Sequence, residues 1–532
     1  MTADNPFAPW LEPQAADRPV SLRPLLARAV AERPGHPALV GASGRRSFAE
    51  LDADSATVAS TLYGLGVRAG DRVAVSLPND LAVVTALLGI WRLGAVYVGV
   101  HRALGSPEKA FFLDDSGARV LLADPEVVAE VGKERADRTA LEHLVSVDPG
   151  GEDEWGMLLA EHGARWPDAD AHVDVDPLAL AAIAYTSGTT GRPKGVMHSQ
   201  HNALLPGVVF VTRGSFTADE PIAVVHPLTI LNLMVLNPLT TLAATSTCVL
   251  CDRHDAVSLA ARIRDEKVAC ISCVPTIFYD LLTDPRIDPS DLVTLTKPRT
   301  GGSAMSADLK RLFTERFGVR PATSYALTEG PTLVTRQDEG HDYPEGNLGP
   351  PLPHIEITIR DERGGLLAPG EAGEICFGPT SHGPWAGVYR TMLGYYGRPG
   401  ESGESLRDGV VHSGDVGYLE PDGTLVLVDR RSQLIIRGGS NIYPAEIERV
   451  LALDPRVVDS CVVGRADPRW GEVVVAVVEV ADGAEVTEAE LLELCRTHVA
   501  TFKTPAEIRF TDALPRGPLG KVARTEVAEL VR

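Results

Sequence analysis

Apolar runs alternate with amphipathic stretches along most of the chain. The continuous apolar pattern of residues 178–184 predicts a buried strand, and residues 72–76 predict a strand that leads into a helix over 79–93. Farther along, strand patterns at 356–360 and 373–378 flank turn signals rich in glycine and proline. This alternation predicts a layered α/β architecture.

The last part of the chain follows a different pattern. Pro444 predicts a helix through residue 451, and strand-like runs follow at 459–464 and 472–480. Thr487 begins a capping box that predicts one more helix, which must end before a proline at 505. We therefore predict an α/β protein with three parts. They are a large N-terminal domain of several layered subdomains (1–429), a hinge (430–433) and a small mobile α+β domain (434–532).

Composition narrows the class of protein. A chain of 532 residues is too long for one core, and its 44% hydrophobic and 23% charged residues are ordinary for a globular enzyme. The formal net charge of −22 argues against nucleic acid and anionic membranes as partners. The sequence contains neither a secretory signal pattern nor an apolar run of about 18 residues, so we expect a cytoplasmic protein with no membrane partner.

Two cysteine pairs have the spacing of a four-cysteine zinc site. They are Cys248 with Cys251 and Cys270 with Cys273. Both pairs lie in strand-like apolar runs without the tight turns of zinc knuckles, and a disulfide is disfavoured in the cytoplasm. We therefore expect these cysteines to be small hydrophobic core residues.

The segment 185–196 concentrates the groups that bind phosphate. It contains three glycines, four Ser or Thr hydroxyls, Arg192 and Lys194, directly after the predicted strand. Backbone N–H groups, hydroxyls and a lysine ammonium can surround phosphate oxygens. The spacing differs from the Walker pattern, because a proline stands immediately before Lys194. A nucleotide-binding loop explains this concentration better than a polar surface turn.

The loop resembles the phosphate-binding signature of adenylate-forming enzymes, which include acyl-CoA synthetases, nonribosomal adenylation domains and luciferases. Further motifs of this superfamily follow in its order from about Ser47 to the C-terminus. The resemblance implies that the following residues of the loop bind ATP: Thr186, Ser187, Gly188, Thr189, Thr190, Gly191 and Lys194.

A second resemblance lies at residues 325–329. It implies that Tyr325 stacks on adenine, that Thr328 contacts phosphate in catalysis, and that Glu329 is a catalytic ligand of Mg²⁺. These functions suit the residue types, because an aromatic face fits a purine and Mg²⁺ prefers carboxylate and phosphate oxygens. The glycine-rich segment 300–304 resembles the stretch that borders adenine and the acyl pocket, which makes Gly302 and Ser303 nucleotide-binding candidates.

The remaining motifs lie near the end of the large domain, in the hinge and in the small domain. By resemblance, Asp415 binds the ribose hydroxyls and Arg430 lies near ribose and phosphate. Lys521 resembles the catalytic lysine that reaches the carboxylate and the α-phosphate, where two anions must approach each other. Gly438 and Gly439 resemble the loop that lines the thiol tunnel after the small domain rotates.

Two departures from the superfamily pattern concern the second half-reaction. The histidine expected at the mouth of the acyl pocket is absent, because Thr229 and Ile230 follow Pro227-Leu228. His226 precedes that proline, and we do not assign the missing function to it. Ser432 occupies the pivot position, where aspartate or lysine is usual.

The resemblance implies an ATP- and Mg²⁺-dependent ligase that converts a small-molecule carboxylic acid into an acyl-adenylate and then into a CoA thioester. The departures leave other acceptors open, namely an acyl carrier protein thiol, an amine or another nucleophile. A non-catalytic nucleotide-binding regulator is a second alternative. We expect the acyl pocket to draw on residues 225–236, 301–304 and 325–327, whose aliphatic character favours an apolar or aromatic acid over an amino acid.

Overall fold

The computed structural model describes residues 19–532 apart from several short segments, and all structural statements below concern the described residues. The segments outside this description are 134–139, 149–153, 164–172, 187–191, 253–254, 301–306, 319, 339–340, 342, 345, 362, 430–434, 443, 482, 516–521 and 523.

A seven-stranded sheet carries the predicted phosphate loop. Its strands, in spatial order, are Gly394–Tyr395, Lys194–Ser199, Leu180–Thr186, Val96–Gly99, Arg72–Ser76, Val120–Ala123 and His143–Ser146. The last five run parallel and the first two are antiparallel additions. Parallel strands are covered on both faces, which explains why Arg72–Ser76 is apolar without alternation.

A six-stranded sheet lies beside the first one. In spatial order it contains Lys297–Thr300, Cys270–Cys273, Ile222–Val224, Cys248–Leu250, Pro37–Gly41 and Gly44–Ser47. Only the hairpin formed by the last two strands is antiparallel. All seven cysteines of the chain are buried free thiols. The four cysteines of the zinc-like pattern lie within buried hydrophobic clusters, as the prediction of core residues requires.

Two antiparallel sheets complete the large domain. One pairs Ser324–Leu327 with Gly330–Arg336, and therefore carries the 325–329 motif on its turn. The other joins Ile355–Arg360, Gly373–Pro379, Val410–Leu419 and Leu406–Arg407, with Leu425–Asp429 paired to the long third strand.

Helices cover the large sheets. They are Leu22–Glu32, Phe48–Gly64, Leu81–Arg92, Ser106–Ser116, Pro125–Gly132, Glu154–His162, Gln200–Thr212, Leu231–Met234, Thr240–Ala244, Ala256–Asp265, Pro275–Thr283, Ala307–Phe317 and Pro399–Ser405. A π-helical turn, Val235–Leu239, and 3₁₀ turns at Pro289–Leu292 and Gly383–Trp385 connect them. None of the described helices combines the length and apolar character needed to cross a bilayer.

The small domain is built on a five-stranded sheet. In spatial order, Ser440–Ile442, Ile435–Arg437, Gly471–Val480 and Val457–Asp467 are antiparallel neighbours, and Glu507–Thr511 is parallel to the third. Its helices are Pro444–Leu451, Glu488–His498 and Arg524–Leu530, with a 3₁₀ turn at Thr501–Lys503.

Local patterns predicted these elements closely where the sequence contains a clear boundary signal. The helix that begins at Pro444 ends at Leu451 as predicted, and Thr487 caps the next helix reciprocally with Glu490. The strand predicted at 178–184 is Leu180–Thr186, because pairing with its antiparallel neighbour extends it to the edge of the loop. The hinge predicted at 430–433 lies outside the described residues, so the domain boundaries remain a prediction.

Candidate active site

The ends of the predicted phosphate loop face each other across two strands. Thr186 is the antiparallel partner of Lys194, so the two ends of the loop lie side by side on neighbouring strands. Ser187, Gly188, Thr189, Thr190 and Gly191 lie outside the described residues. The structure therefore places Thr186 and Lys194 next to each other, as expected for two residues of one phosphate loop.

Lys194 is held by a helix that is distant in sequence. Its Nζ atom lies 2.5 Å from Oε2 of Glu401 and 5.1 Å from the ring centroid of Tyr395. The hydrogen bond with Lys194 keeps the pKa of Glu401 below its usual range, so this carboxylate is ionised at neutral pH. Arg398 also contacts Glu401, at 3.4 Å, and donates to the carbonyl oxygen of Pro193 at 3.3 Å. Helix Pro399–Ser405 thus stabilises the end of the loop.

Glu329 meets the same group of side chains. The hydroxyl of Tyr395 donates a hydrogen bond to Oε1 of Glu329 at 2.9 Å. Burial raises the pKa of Glu329, although this hydrogen bond and the charge of Lys194 oppose the rise. Burial and the charge of Glu329 raise the pKa of Tyr395, which therefore acts as a donor. The predicted metal ligand and the predicted phosphate-binding lysine consequently share one tyrosine as a neighbour.

The backbone beside Glu329 is fixed from two directions. Nε2 of His198 donates to the carbonyl oxygen of Thr328 at 2.7 Å, and Nδ2 of Asn232 donates to that of Leu327 at 3.1 Å. Burial lowers the pKa of His198 to about 4, so its ring is neutral at pH 7. His198 lies on the strand that follows the phosphate loop, and therefore couples Thr328 to that loop.

The residues predicted to bind adenine and ribose are in direct contact. The hydroxyl of Tyr325 donates to Oδ2 of Asp415 at 2.6 Å, and Tyr325 is only 2% exposed. The backbone N–H of Asp415 donates to Oγ of Ser413, which in turn donates to the carbonyl oxygen of Ile375. These contacts bring the two motifs together. The contact of either residue with a nucleotide remains a prediction.

Glu374 stabilises an irregular part of strand Val410–Leu419 just before Asp415. Its Oε2 atom lies 2.8 Å from Nδ1 of His412, and its Oε1 atom accepts from the N–H of Gly414 at 3.2 Å. Cys376 completes a set of three groups with metal-ligand spacing, but the Arg407 guanidinium lies 2.9 Å from the same histidine nitrogen. That cation opposes metal binding, so we interpret the cluster as support for this irregular part of the strand.

The segment with the missing histidine is anchored by Asn79. This side chain donates to the carbonyl oxygen of His226 at 2.7 Å and accepts from the N–H of Leu228 at 2.9 Å. Thr229 is buried, whereas Ile230 is 45% exposed.

The small domain contacts the large domain through the predicted tunnel loop. Gly438 and Gly439 both have positive φ, and a Cβ atom on Gly439 would lie 1.8 Å from Cγ1 of Val274. This loop therefore approaches the large domain so closely that a side chain does not fit at Gly439. Four further predicted site residues lie outside the described residues, namely Gly302, Ser303, Arg430 and Lys521.

Motif resemblance did not identify several residues of the site. Tyr395, Glu401 and His198 contact predicted site residues from other strands or helices. Arg398 and Glu374 contact residues beside the predicted ones, namely Pro193 and Gly414. Their signal is spatial, since strand Gly394–Tyr395 joins the sheet beside Lys194–Ser199. No local pattern in the sequence reveals that pairing.

Two family models match the chain. The model described as AMP-binding enzyme matches residues 26–396, and the model described as AMP-binding enzyme C-terminal domain matches residues 446–521. The first model alone covers more than half of the chain, and the second matches residues that lie within the small domain.

Individual proteins are similar along nearly the whole chain. A feruloyl-CoA synthase of an Amycolatopsis species is 36% identical over 482 residues, which is 90% of this chain and 93% of that protein. Among solved structures, a double mutant of o-succinylbenzoate CoA synthetase from Bacillus subtilis, bound with a product analogue, aligns with a TM-score of 0.81. It is 29% identical, with 96% of this chain and 98% of that one covered. The amide bond synthetase McbA from Marinactinospora thermotolerans also has a TM-score of 0.81, at 28% identity, with 95% and 99% covered.

These matches confirm three predictions from the sequence: the superfamily, the α/β fold with a large and a smaller domain, and the class of enzyme. The chain therefore belongs to the adenylate-forming superfamily of AMP-binding enzymes and is an acid-activating, AMP-forming ligase.

Proposed function

We propose that this ligase activates an apolar or aromatic carboxylic acid with ATP and Mg²⁺ and transfers the acyl group to CoA. The observation that carries the proposal is the convergence of Lys194, Tyr395 and Glu329 at the end of the phosphate loop. A cation for phosphate and a carboxylate for a metal ion are thereby brought to one site.

The first half-reaction is adenylation. A carboxylate oxygen attacks the α-phosphorus of ATP, the bond from that phosphorus to the pyrophosphate oxygen breaks, and an acyl-adenylate forms. Lys194 neutralises phosphate charge, and Lys521, by resemblance, bridges the two anions that approach each other. Asp415 accepts hydrogen bonds from the ribose hydroxyls, and its contact with Tyr325 aligns ribose and adenine subsites.

Glu329 suits Mg²⁺ because its carboxylate is partly buried and has two oxygens, of which Tyr395 binds Oε1. When bound, Mg²⁺ would neutralise the charge of the phosphates as pyrophosphate departs. Burial raises the pKa of Glu329, and a nearby cation opposes that rise by favouring the ionised carboxylate.

The second half-reaction is acyl transfer. The thiolate of CoA attacks the acyl carbonyl carbon, and AMP leaves with the electron pair of the broken acyl–phosphate bond. Contact of Gly439 with Val274 supports this half-reaction, because the predicted tunnel loop lies against the large domain. The similar synthetase from B. subtilis carried a CoA product analogue, which favours the same arrangement here.

Two relatives suggest the class of acid. Feruloyl-CoA synthase and o-succinylbenzoate CoA synthetase are both named for aromatic acids, and the predicted pocket of this chain is largely aliphatic. We propose an aryl-substituted acid, activated in the cytoplasm where ATP and CoA are available.

A second candidate function differs only in the acceptor. The similarity to an amide bond synthetase makes an amine an alternative to CoA. An acyl carrier protein thiol is a further alternative, and the loss of histidine at Ile230 bears on each of them. The test is product analysis by mass spectrometry with ATP, Mg²⁺ and a panel of aryl, aliphatic and amino acids. Each acid is assayed with CoA, with an amine, with a carrier protein and with no acceptor. Formation of acyl-CoA above all other products supports the proposal, whereas amide or acyl-carrier formation alone overturns the choice of CoA.

A further inference from the structure

A lysine ammonium group is buried between two carboxylates where the domains meet. Nζ of Lys503 lies 2.8 Å from Oε1 of Glu108 and 2.9 Å from Oε1 of Glu446, and these side chains are 8%, 8% and 3% exposed, respectively. Glu108 belongs to the large domain, while the other two belong to the small domain. Burial alone would lower the pKa of Lys503, but the charges of Glu446 and Glu108 raise it, so the ammonium remains protonated.

Glu108 is a fixed anchor on the large domain. It lies in the first turn of helix Ser106–Ser116, and its Oε2 atom accepts a hydrogen bond from the N–H of Gly105 at 2.9 Å. A Cβ atom on Gly105 would lie 3.0 Å from the carbonyl group of His498 in the small domain. One oxygen of Glu108 therefore caps its own helix, while the other binds Lys503 across closely opposed backbones.

The segment around Lys503 also holds the predicted tunnel loop. Nη1 of Arg437 donates to the carbonyl oxygen of Phe502 at 2.9 Å and to that of Thr504 at 3.4 Å. Arg437 directly precedes Gly438 and Gly439, and Gly439 lies against Val274 of the large domain. A continuous path of contacts thus leads from Glu108 through Lys503 and Arg437 to the tunnel loop.

We propose that Lys503 is a positioning residue for acyl transfer, because its ion pair with Glu108 holds the small domain where the Gly438–Gly439 loop meets the large domain. This inference rests on the proposed function, since it assigns the observed arrangement to the CoA half-reaction. Lys503 acts through Arg437 and the loop, and does not itself contact the reacting atoms.

The other basic groups near Glu108 are neutral or are paired within the large domain, so Lys503 is its partner across the domains. His101 lies beside the cluster, where the charges of Lys503, Glu108, Arg102 and Lys109 all act on it. Burial and the nearby cations lower the pKa of His101 to about 4, so it is neutral. Arg102 is paired with Asp124 and Lys109 with Glu130, at 2.5 Å and 2.6 Å, inside the large domain. Rotation of the small domain would separate Lys503 from Glu108 while Lys503 keeps Glu446, so the interdomain pair favours the observed arrangement.

The test separates the two half-reactions in the full-length enzyme. Lys503→Met and Glu108→Gln are compared with Lys109→Met, which removes a lysine of similar burial from the same interface helix but leaves the interdomain pair intact. Adenylation is followed as pyrophosphate release in a single turnover. Transfer is followed by mixing the preformed enzyme-bound adenylate with CoA and quenching, over a series of CoA concentrations. Thermal unfolding of each variant reports the stability of the fold.

We expect both interdomain variants to lose about tenfold or more in the maximal rate of transfer, with adenylation changed less than about threefold, since a hydrogen bond to a charged group is lost. Lys109→Met should leave the ratio of the two rates unchanged. Equal transfer by wild type, Glu108→Gln and Lys503→Met would overturn the positioning role alone, as would equal losses in both half-reactions. Absence of any thioester from the wild type would instead overturn the proposed function, and the role of Lys503 with it.

Discussion

The hydroxyl group of Tyr395 donates a hydrogen bond to the carboxylate of Glu329, with 2.9 Å between the two oxygens. Tyr395 is 6% exposed, and its ring also faces the ammonium group of Lys194. One buried tyrosine therefore orders a proposed metal ligand and a proposed phosphate-binding cation.

Removal of this hydroxyl should weaken adenylation. In Tyr395→Phe, Glu329 loses a hydrogen bond that lowers its pKa, so its pKa rises further and less of it is ionised near neutral pH. We expect the Mg²⁺ concentration for half-maximal adenylation to rise about tenfold and the acidic limb of the pH profile to move to higher pH. The measurement is pyrophosphate release over a series of Mg²⁺ concentrations and pH values.

Tyr389→Phe is the matched control for this change. Tyr389 is 1% exposed, and within the described residues its hydroxyl has no hydrogen-bond partner. Its loss should leave the Mg²⁺ dependence unchanged. If Tyr395→Phe behaved like this control, the coupling between Tyr395 and Glu329 would have no place in the mechanism.

His198 should make the enzyme sensitive to acid. Its folded-state pKa is about 4, against 6.5 for an ordinary histidine, so the unfolded chain binds a proton more readily. Stability is therefore complete above about pH 6.5 and falls as the pH decreases toward 4, with a contribution of about 3 kcal/mol from this residue. Burial lowers the pKa of His201 and His354 as well, to about 4 and about 3, and these residues add to the same trend.

The check is denaturant unfolding of wild type and His198→Gln at several pH values between 4 and 7. Glutamine can still donate to the carbonyl oxygen of Thr328 but does not titrate, so the variant should lose less stability as the pH falls. Parallel curves for the two proteins would show that His198 does not contribute to this acid sensitivity.

A side chain at Gly439 should impair transfer to CoA more than adenylation. The backbone has φ of +81° there, and the added Cβ would meet Val274 at 1.8 Å, so the loop must withdraw from the large domain. We expect Gly439→Ala to reduce the rate of transfer more than about tenfold. Gly483→Ala is the control, because its φ is +74° but nothing lies within 4 Å of the added atom. Transfer is measured from preformed adenylate and adenylation as pyrophosphate release in a single turnover. A similar effect of both substitutions would attribute any loss to backbone strain alone.

Lys521→Ala should abolish adenylate formation and leave ATP binding nearly intact. The reason is electrostatic, since the attacking carboxylate and the α-phosphate are both anionic and a cation between them stabilises the transition state. Pyrophosphate release and equilibrium binding of ATP measure the two properties separately. Wild-type pyrophosphate release by this variant would refute the role of Lys521, which remains a prediction from the motif.

The sequence predicted individual site residues better than their partners. Tyr325 and Asp415 were each recognised from a local motif, but only the fold shows that their side chains are in contact. Glu401 could not be predicted, because it reaches Lys194 only after strand Gly394–Tyr395 joins the edge of the sheet. The partner of Lys503 could not be predicted from a local pattern either, because Glu108 is 395 positions away.

The boundaries of helices and strands were also predicted well only where a local signal sets them. Pro444 marks a helix start locally, because proline suits the first turn, and the prediction of that helix was correct to the residue. The strands of the small domain, Val457–Asp467 and Gly471–Val480, are longer than predicted at one end or both, since hairpin pairing extends each beyond its apolar run. Tertiary pairing supplies this information, and local patterns do not contain it.

The measurement that tests the central claim most directly uses the best acid from the substrate panel with ¹⁸O in its carboxylate. The enzyme is supplied with this acid, ATP, Mg²⁺ and CoA, and AMP and pyrophosphate are analysed by mass spectrometry. Attack on the α-phosphorus followed by transfer to the thiol predicts one ¹⁸O atom in each AMP, unlabelled pyrophosphate and one acyl-CoA per AMP. Unlabelled AMP, or label in a product of β- or γ-phosphate transfer, would contradict activation through an acyl-adenylate.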